Sequence, residues 1–209
     1  MRIRRMKAIF VGMMGLCCCV AGFALNSEVP ESADAVKPLQ KGDAAPDVIL
    51  KTVDGKDFNL KRELKKQPTV LIFYRGGWCP YCNLHLSALQ KIDPQLRQLG
   101  YRIIAVSPDK PEKLRESLTK DHLTYTLLSD HSMKAAREFG IAFKVDDATL
   151  QKYKTYGINL EVASGEKHHL LPVPAVFLVG QDGLIKFSYV NSDYKKRIGS
   201  EALLDAAKK

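Results

Sequence analysis

Two closely spaced cysteines are the residues of this sequence best suited to chemistry. Cys79 and Cys82 enclose Pro80 and Tyr81, and on a helix this spacing puts both thiols on one face, one turn apart. One thiol can form a mixed disulfide with a partner molecule, and the other can then attack and release it. The motif therefore predicts thiol–disulfide redox chemistry.

The elements around the motif favour Cys79 as the attacking thiol. Residues 69–74 form a short apolar run that predicts a strand buried on both faces. A Gly76-Gly77 turn follows, and Pro80 suits the first turn of a helix. Cys79 would then lie at the helix N-terminus, where free N–H groups and the helix dipole favour a thiolate at neutral pH.

Two other roles for the cysteine pair are less well supported by the sequence. A permanent disulfide closing so short a loop gives little chain-entropy stabilisation. A closed zinc site needs more ligands than two cysteines supply. A metal-binding chaperone that adds His168 or His169 to the two thiols stays open as a hypothesis of another class. We expect no metal and no cofactor.

The net charge does not indicate nucleic-acid binding. The formal charge is +9, but Arg2, Arg4, Arg5 and Lys7 account for four of the 32 basic residues, and removing them leaves 28 against 23 acidic ones, or +5. Charges of both signs alternate along the rest of the chain, as is typical of a solvated surface. We therefore expect no nucleic-acid partner.

The first residues have the pattern of a targeting segment. Residues 1–7 are basic and residues 8–25 are apolar without a charge, which is typical of a signal peptide over residues 1–24 or of a membrane anchor. Either places the remaining chain across the membrane. We expect a periplasmic or otherwise exported protein that contacts a membrane only through this segment.

The remaining sequence divides into a linker and one domain. Residues 25–41 are polar, contain Pro30 and Pro38, and predict a flexible linker. Residues 42–209 alternate strand and helix patterns, which predicts a mostly parallel central sheet with helices on both faces. The predicted strands are 47–53, 58–60, 69–74, 101–107, 124–128, 175–179 and 184–190, and the predicted helices are 80–99, 111–120, 132–139, 148–156 and 200–208.

Three segments carry a resemblance to a known family. The segment from Phe73 to Cys82, the opening from Gly42 to Asp47, and the segment from Val173 to Val179 with its following Asp182-Gly183 turn resemble the peroxiredoxin-like (AhpC/TSA, redoxin) branch of the thioredoxin superfamily. The resemblance implies an α/β thioredoxin-like fold, with a mixed central sheet, helices on both faces and an N-terminal β-hairpin. It also implies that Pro174 is cis and faces the cysteine pair.

The same resemblance shows departures from ordinary peroxiredoxins. Those enzymes place a proline, a threonine or serine, and the peroxidatic cysteine where this sequence has Arg75, Cys79 and Cys82. Their peroxide-polarising arginine would fall at Pro174. Cys82 thus holds the peroxidatic position without two of its usual helpers.

These observations rank two enzymatic functions. The leading hypothesis is an exported thiol–disulfide oxidoreductase in which Cys79 attacks and Cys82 resolves. The alternative is a peroxiredoxin-like antioxidant peroxidase in which Cys82 attacks peroxide and Cys79 resolves. The partners would be protein or small-molecule thiols and disulfides, or peroxides, together with a reducing redox partner.

Five further residues are expected to support the site: Arg75, Trp78, Pro80, Tyr81 and Pro174. Arg75 would stabilise a thiolate or bind an acidic group of the substrate, or would simply be a charged side chain exposed on a loop, the more common situation for arginine.

Overall fold

A seven-stranded mixed sheet with helices on both faces organises the chain, whose computed structural model describes residues 28–121 and 123–209. The strands are β1 (Ile49–Thr52), β2 (Asp57–Asn59), β3 (Thr69–Phe73), β4 (Arg102–Ser107), β5 (Thr126–Ser129), β6 (Ala142–Lys144), β7 (Leu170–Pro172), β8 (Ala175–Val179) and β9 (Ile185–Val190). The helices are α1 (Leu60–Leu64), α2 (Pro80–Lys91), α3 (Asp93–Gln98), α4 (Pro111–Asp121), α5 (Lys134–Glu138), α6 (Asp147–Thr155), α7 (Leu160–Ser164) and α8 (Ser200–Ala207).

The sheet has a parallel centre and antiparallel flanks. Its strand order is β2-β1-β5-β4-β3-β8-β9, and β6 pairs separately with β7. The pairs β3–β4 and β4–β5 are parallel, whereas β1 pairs antiparallel with β2 and β5, and β8 pairs antiparallel with β3 and β9. The β1–β2 pair is the expected N-terminal hairpin, and β8 and β9 form a second antiparallel pair at the other edge. The central sheet is therefore mixed, as the family resemblance implies.

Alternating residues of the central strands pack into two hydrophobic cores, one on each face of the sheet. In β3, Leu71 and Phe73 face one core, with α1 and α5, while Val70 and Ile72 face the other, with α2, α3, α4 and α8. This is why the strand is apolar without alternation, since both of its faces are buried. The two cysteines belong to the second core.

The predicted helix over residues 80–99 is two helices in the structure. The first, α2, ends at Lys91, and α3 begins at Asp93 after Ile92 leaves helical geometry at φ −100° and ψ 1°. Pro94 lies in the first turn of α3, where its missing N–H costs no helical hydrogen bond. The short elements α1, α7, β6 and β7 were not predicted, because three to five residues carry too little periodicity.

The predicted targeting segment lies outside the described residues. The described part of the predicted linker, from residue 28, packs on the domain: Val29, Val36 and Leu39 contact the first core, and Leu39 N–H donates to Phe139 O at 3.1 Å. This part is therefore not a free tether. Within residues 28–121 and 123–209, no helix is long and apolar enough to cross a membrane.

Candidate active site

The start of α2 positions both cysteines as predicted. Cys79 is the N-cap residue of this helix, and its Sγ accepts a hydrogen bond from Cys82 N–H at 3.3 Å. Pro80 occupies the first turn, where a proline's fixed φ fits a helix start. Cys82 lies three residues on, still among the N–H groups at the positive end of the helix dipole.

The two sulfurs lie together as a disulfide. The Cα atoms of Cys79 and Cys82 are 5.2 Å apart, inside the range that a disulfide requires. Both residues are only 1% exposed. The backbone around Cys79 and Cys82 therefore has the geometry that a disulfide between them needs.

Two glycines shape the loop before the cysteines. Gly77 N–H donates to Asp109 Oδ2 at 2.7 Å, and Asn83 Nδ2 donates to Gly77 O at 2.9 Å. Gly76 has φ +140°, and a Cβ there would lie 2.8 Å from Asp109 Oδ1. Only glycine fits this approach of the loop to the carboxyl group.

Asp109 is a functional candidate that the sequence analysis missed. It follows β4, is 2% exposed, and its Oδ1 has no hydrogen-bond partner in the described part of the chain. Burial raises the pKa of Asp109 to about 6, against the opposing effect of the hydrogen bond from Gly77. The sequence signal was its place just after a parallel strand, next to the strand that leads into the cysteine loop.

Arg75 is buried, which corrects the expectation of an exposed loop residue. Its exposed fraction is 4%, and its Nη2 donates to the hydroxyl of Tyr153. Its guanidinium lies 4.1 Å from the ring centre of Tyr194 and 5.1 Å from that of Trp78, so aromatic faces replace part of its lost hydration. Burial lowers the pKa of Arg75 below its usual value.

Trp78 and Tyr81 are neighbours of the cysteines in the sequence, and each packs against another aromatic ring. The Trp78 ring packs against Tyr153 with 5.6 Å between ring centres, on the side of α6. Tyr81 is 42% exposed and meets Tyr194 edge to face at 5.7 Å. The cysteine motif therefore carries two aromatic side chains, Trp78 partly buried and Tyr81 at the surface.

Pro174 is trans, so the prediction of a cis bond is wrong for this structure, in which no described peptide bond is cis. It lies between β7 and β8, and Ala175 pairs with Phe73 at the end of β3, which places the proline beside the start of the cysteine loop. Trans is the default geometry for an X–Pro bond, and a proline suits a strand entrance because it offers no N–H to a ladder.

Arg197 was not predicted as a site residue. It lies in the segment between β9 and α8, and its Nη2 is 3.6 Å from Cys82 Sγ. Burial and the like charge of Arg75 lower the pKa of Arg197 to about 10, which leaves it protonated at neutral pH. No sequence pattern joins residues 115 positions apart.

His168 and His169 do not join the cysteines in a ligand set. His168 Nδ1 accepts from Leu170 N–H at 2.9 Å, and its Nε2 lies 2.8 Å from His131 O. His169 Nε2 pairs with Glu161 Oε1 at 2.8 Å. The described residues contain no group of three or more histidine, cysteine, aspartate or glutamate side chains placed to hold a metal ion.

The fold and the site define a class: a thioredoxin-fold protein with two cysteines within disulfide reach at the start of a helix. The chain belongs to the AhpC/TSA family, whose family model matches residues 41–188. The predicted family resemblance and the thioredoxin-like α/β fold are thereby confirmed.

Curated relatives and solved structures agree with this assignment. Peroxiredoxin Bcp of Escherichia coli (strain K12) is 33% identical over 106 residues, 51% of this chain and 67% of that protein. The chloroplastic peroxiredoxin Q of Gentiana triflora is 34% identical over 103 residues, 49% of this chain and 47% of that protein.

Two solved structures share the fold at low identity. Peroxidoxin BcpB from Mycobacterium tuberculosis superposes with a TM-score of 0.63 at 18% identity, over 81% of this chain and 97% of that one. Xanthomonas campestris peroxiredoxin Q gives 0.61 at 20% identity, over 82% and 96%. The prediction of a redox enzyme is confirmed, and the comparisons favour the peroxiredoxin-like alternative over the leading hypothesis.

Proposed function

We propose that this chain is a thiol peroxidase in which Cys82 reduces a peroxide and Cys79 resolves the product. One observation carries the proposal: in a chain of the AhpC/TSA family, Cys82 lies in the first turn of α2 within disulfide reach of Cys79. This reverses the ranking that the sequence favoured.

The reaction balances with a peroxide as oxidant and a thiol as reductant. The Cys82 thiolate attacks one oxygen of ROOH, the O–O bond breaks, and the departing RO⁻ takes up a proton to leave as ROH. Cys82 is then a sulfenic acid. The Cys79 thiolate attacks that sulfur, the S–O bond breaks, the departing hydroxide takes up a proton to leave as water, and the disulfide forms. An external thiol or dithiol reductant supplies two electrons to restore both thiols.

The closed site limits the substrate. Both cysteines are 1% exposed, so a small peroxide such as hydrogen peroxide reaches Cys82 with less rearrangement than a bulky one. Tyr81 and Leu84, 42% and 71% exposed, offer an apolar surface beside the pair for contact with a reductant. Aromatic and apolar side chains are favoured at such contacts.

The attacking sulfur can be identified with two serine variants. Cys79→Ser and Cys82→Ser proteins are reduced, exposed to hydrogen peroxide with dimedone, and mapped by mass spectrometry, which separates the active-site peptide from Cys17, Cys18 and Cys19. We expect the sulfenic adduct on Cys82 in the Cys79→Ser protein. An adduct on Cys79 in the Cys82→Ser protein, with none on Cys82 in the other variant, would contradict the proposal.

A second function is favoured by a specific contact. Cys79 is the N-cap residue and its Sγ already accepts a backbone hydrogen bond, an arrangement that stabilises a thiolate there and suits dithiol–disulfide exchange. In that case the reduced Cys82→Ser protein, mixed with a disulfide substrate, should accumulate a mixed disulfide at Cys79. Rapid substrate turnover without such a species would exclude the exchange mechanism.

We further propose that the enzyme works outside the cytoplasm. The support is the basic segment 1–7 followed by the uncharged apolar segment 8–25. Cell fractionation with N-terminal sequencing should find the protein exported and starting near Leu25, or retained in the membrane. Soluble cytoplasmic protein with an intact N-terminus would refute export.

A further inference from the structure

The Arg197 side chain is held next to the sulfur of Cys82. Its Nη2 is 3.6 Å from Cys82 Sγ, and its Nη1 donates to Lys196 O at 3.0 Å. A guanidinium can donate to a thiolate through one nitrogen while another nitrogen fixes its orientation. The contact joins a helix in the middle of the chain to a segment near its C-terminus.

The segment that carries Arg197 is anchored on both sides of this residue. The next residue, Ile198, is 6% exposed in the second core, and its backbone hydrogen-bonds to His85 on α2. Three residues before Arg197, Tyr194 packs over Arg75 and against Tyr81. These contacts of the segment, with the hydrogen bond from Arg197 Nη1 to Lys196 O, hold the partly buried guanidinium beside the sulfur.

The charges around Cys82 favour an anion at its sulfur. Arg62, Arg97, Arg102 and Arg115 form ion pairs with carboxylates. In the described part of the chain, Arg75 and Arg197 have no carboxylate within ion-pair distance, and each repels the other. Burial strengthens the repulsion between the two guanidinium groups. A negatively charged Cys82 sulfur beside Arg197 offsets it.

None of the other titratable groups near the contact supplies a negative charge directly against the Arg197 guanidinium. His85, on α2, is neutral at pH 7, because burial and the charge of Arg197 lower its pKa to about 4. Asp193 and Tyr189 act on Arg197 from a distance, and Asp193 Oδ1 already accepts from Lys195 N–H at 3.0 Å. Tyr194 faces Arg75.

We propose that Arg197 is a catalytic residue of the peroxidase: its guanidinium stabilises the Cys82 thiolate and the negative charge that develops as the peroxide bond breaks. The peroxide substrate in this inference rests on the proposed function. The choice of Arg197 rests on the 3.6 Å contact between its Nη2 and Cys82 Sγ. No proton or electron passes through Arg197, which acts only by its fixed positive charge.

The test uses the full chain with Cys79→Ser, so that Cys82 is the only active-site thiol. Arg197→Gln removes the charge, Arg197→Lys keeps it, and Lys196→Gln removes the neighbouring exposed charge as a matched control. Two quantities are measured on the Cys82 peptide by mass spectrometry. They are the pH midpoint of alkylation by iodoacetamide and the rate constant of sulfenic acid formation with hydrogen peroxide.

We expect Arg197→Gln to move the alkylation midpoint up by about one pH unit, the size of effect that a close opposite charge produces. The peroxide rate should fall by about 100-fold, as when one preorganised donor is removed. Arg197→Lys should recover most of the midpoint, and Lys196→Gln should leave both quantities unchanged. Because the lysine variant keeps the charge, its recovery separates this role from a loss of folding.

The inference is overturned if Arg197→Gln leaves both quantities as they are, or if Lys196→Gln changes them equally. Failure of the proposed function gives a different result. The protein with Arg197 intact would then form no sulfenic acid on Cys82, while the alkylation midpoint would still report whether Arg197 stabilises the thiolate.

Discussion

Two buried carboxyl groups, Asp109 and Asp130, follow neighbouring parallel strands and do different work. Asp109 comes after β4 and Asp130 after β5, with exposed fractions of 2% and 3%. The oxygens of Asp130 accept from Ala135 N–H at 3.0 Å and Ala136 N–H at 2.8 Å. Asp109 gives one oxygen to Gly77 N–H and leaves the other unpartnered among the described residues.

The difference separates a structural carboxyl group from one tied to the active site. Asp130 satisfies N–H groups at the start of α5, which every helix start leaves free. Asp109 instead holds the loop that leads into Cys79. A buried oxygen left without a partner is rare, and it lies where the loop approaches most closely. We therefore expect Asp130 to contribute mainly to the free energy of unfolding, and Asp109 to contribute to the chemistry at Cys82.

The largest expected effect is on stability at Asp130. Asp130→Ala leaves two buried N–H groups without an acceptor and should lower the free energy of unfolding by about 3 kcal/mol. Urea unfolding measures this, and Asp130→Asn, which keeps one acceptor, should lose less. The peroxide rate of the folded protein should not change; a slowed reaction would break the distinction between the two carboxyl groups.

The next largest effect is on the pH dependence of stability, which should differ between Asp130 and Asp109. Burial raises the pKa of Asp130 to about 7 and that of Asp109 to about 6. Because both folded values lie above the unfolded one, stability falls as pH rises toward neutrality. Between pH 5 and 7 the loss should be about 2 kcal/mol from Asp130 and about 1 kcal/mol from Asp109.

Asparagine variants report these two contributions, since an amide does not titrate in this range. Relative to the unmodified protein, Asp130→Asn should gain stability as pH rises, and Asp109→Asn should gain about half as much. Urea unfolding at pH 5, 6 and 7 measures both. Parallel curves for variant and unmodified protein would mean that folding does not raise the pKa of that carboxyl group.

Removing the Asp109 carboxyl group should cost less stability but slow the reaction. Asp109→Ala leaves Gly77 N–H without its acceptor, a loss of about 1 kcal/mol. The loosened loop should reduce sulfenic acid formation at Cys82 by about tenfold, through less accurate placement of the sulfur. Stopped-flow peroxide kinetics measures this. An unchanged rate would make Asp109 structural, like Asp130.

The smallest effect is expected at Ser107, which serves both loops. Its Oγ accepts from Asp109 N–H at 3.2 Å, while its backbone O accepts from Asp130 N–H at 2.8 Å. Ser107→Ala removes the first bond together with the interaction of the hydroxyl with the Asp109 carboxyl group, and should cost about 0.5–1 kcal/mol in urea unfolding. In the Asp109→Ala protein the same substitution should cost less, because the carboxyl group that the hydroxyl contacts is already gone.

The sequence by itself determined the features that rest on local pattern. The apolar run of β3, the glycine turn and the Cys79–Cys82 spacing predicted a cysteine pair at a helix start, and the structure has it. The family resemblance followed from three short segments, one around the cysteines and two at residues 42–47 and 173–179. Such features need only neighbouring residues, because backbone geometry and helix-start preferences act over a few positions.

Only the tertiary structure decided which distant groups surround the sulfurs. Arg75 is buried against aromatic rings, although arginine usually lies at the surface. Arg197 reaches Cys82 from 115 positions away, and Asp109 reaches Gly77 from 32. These contacts depend on how β9, β4 and α2 pack around one core. That packing cannot be inferred from the type of a residue or from its neighbours in the sequence.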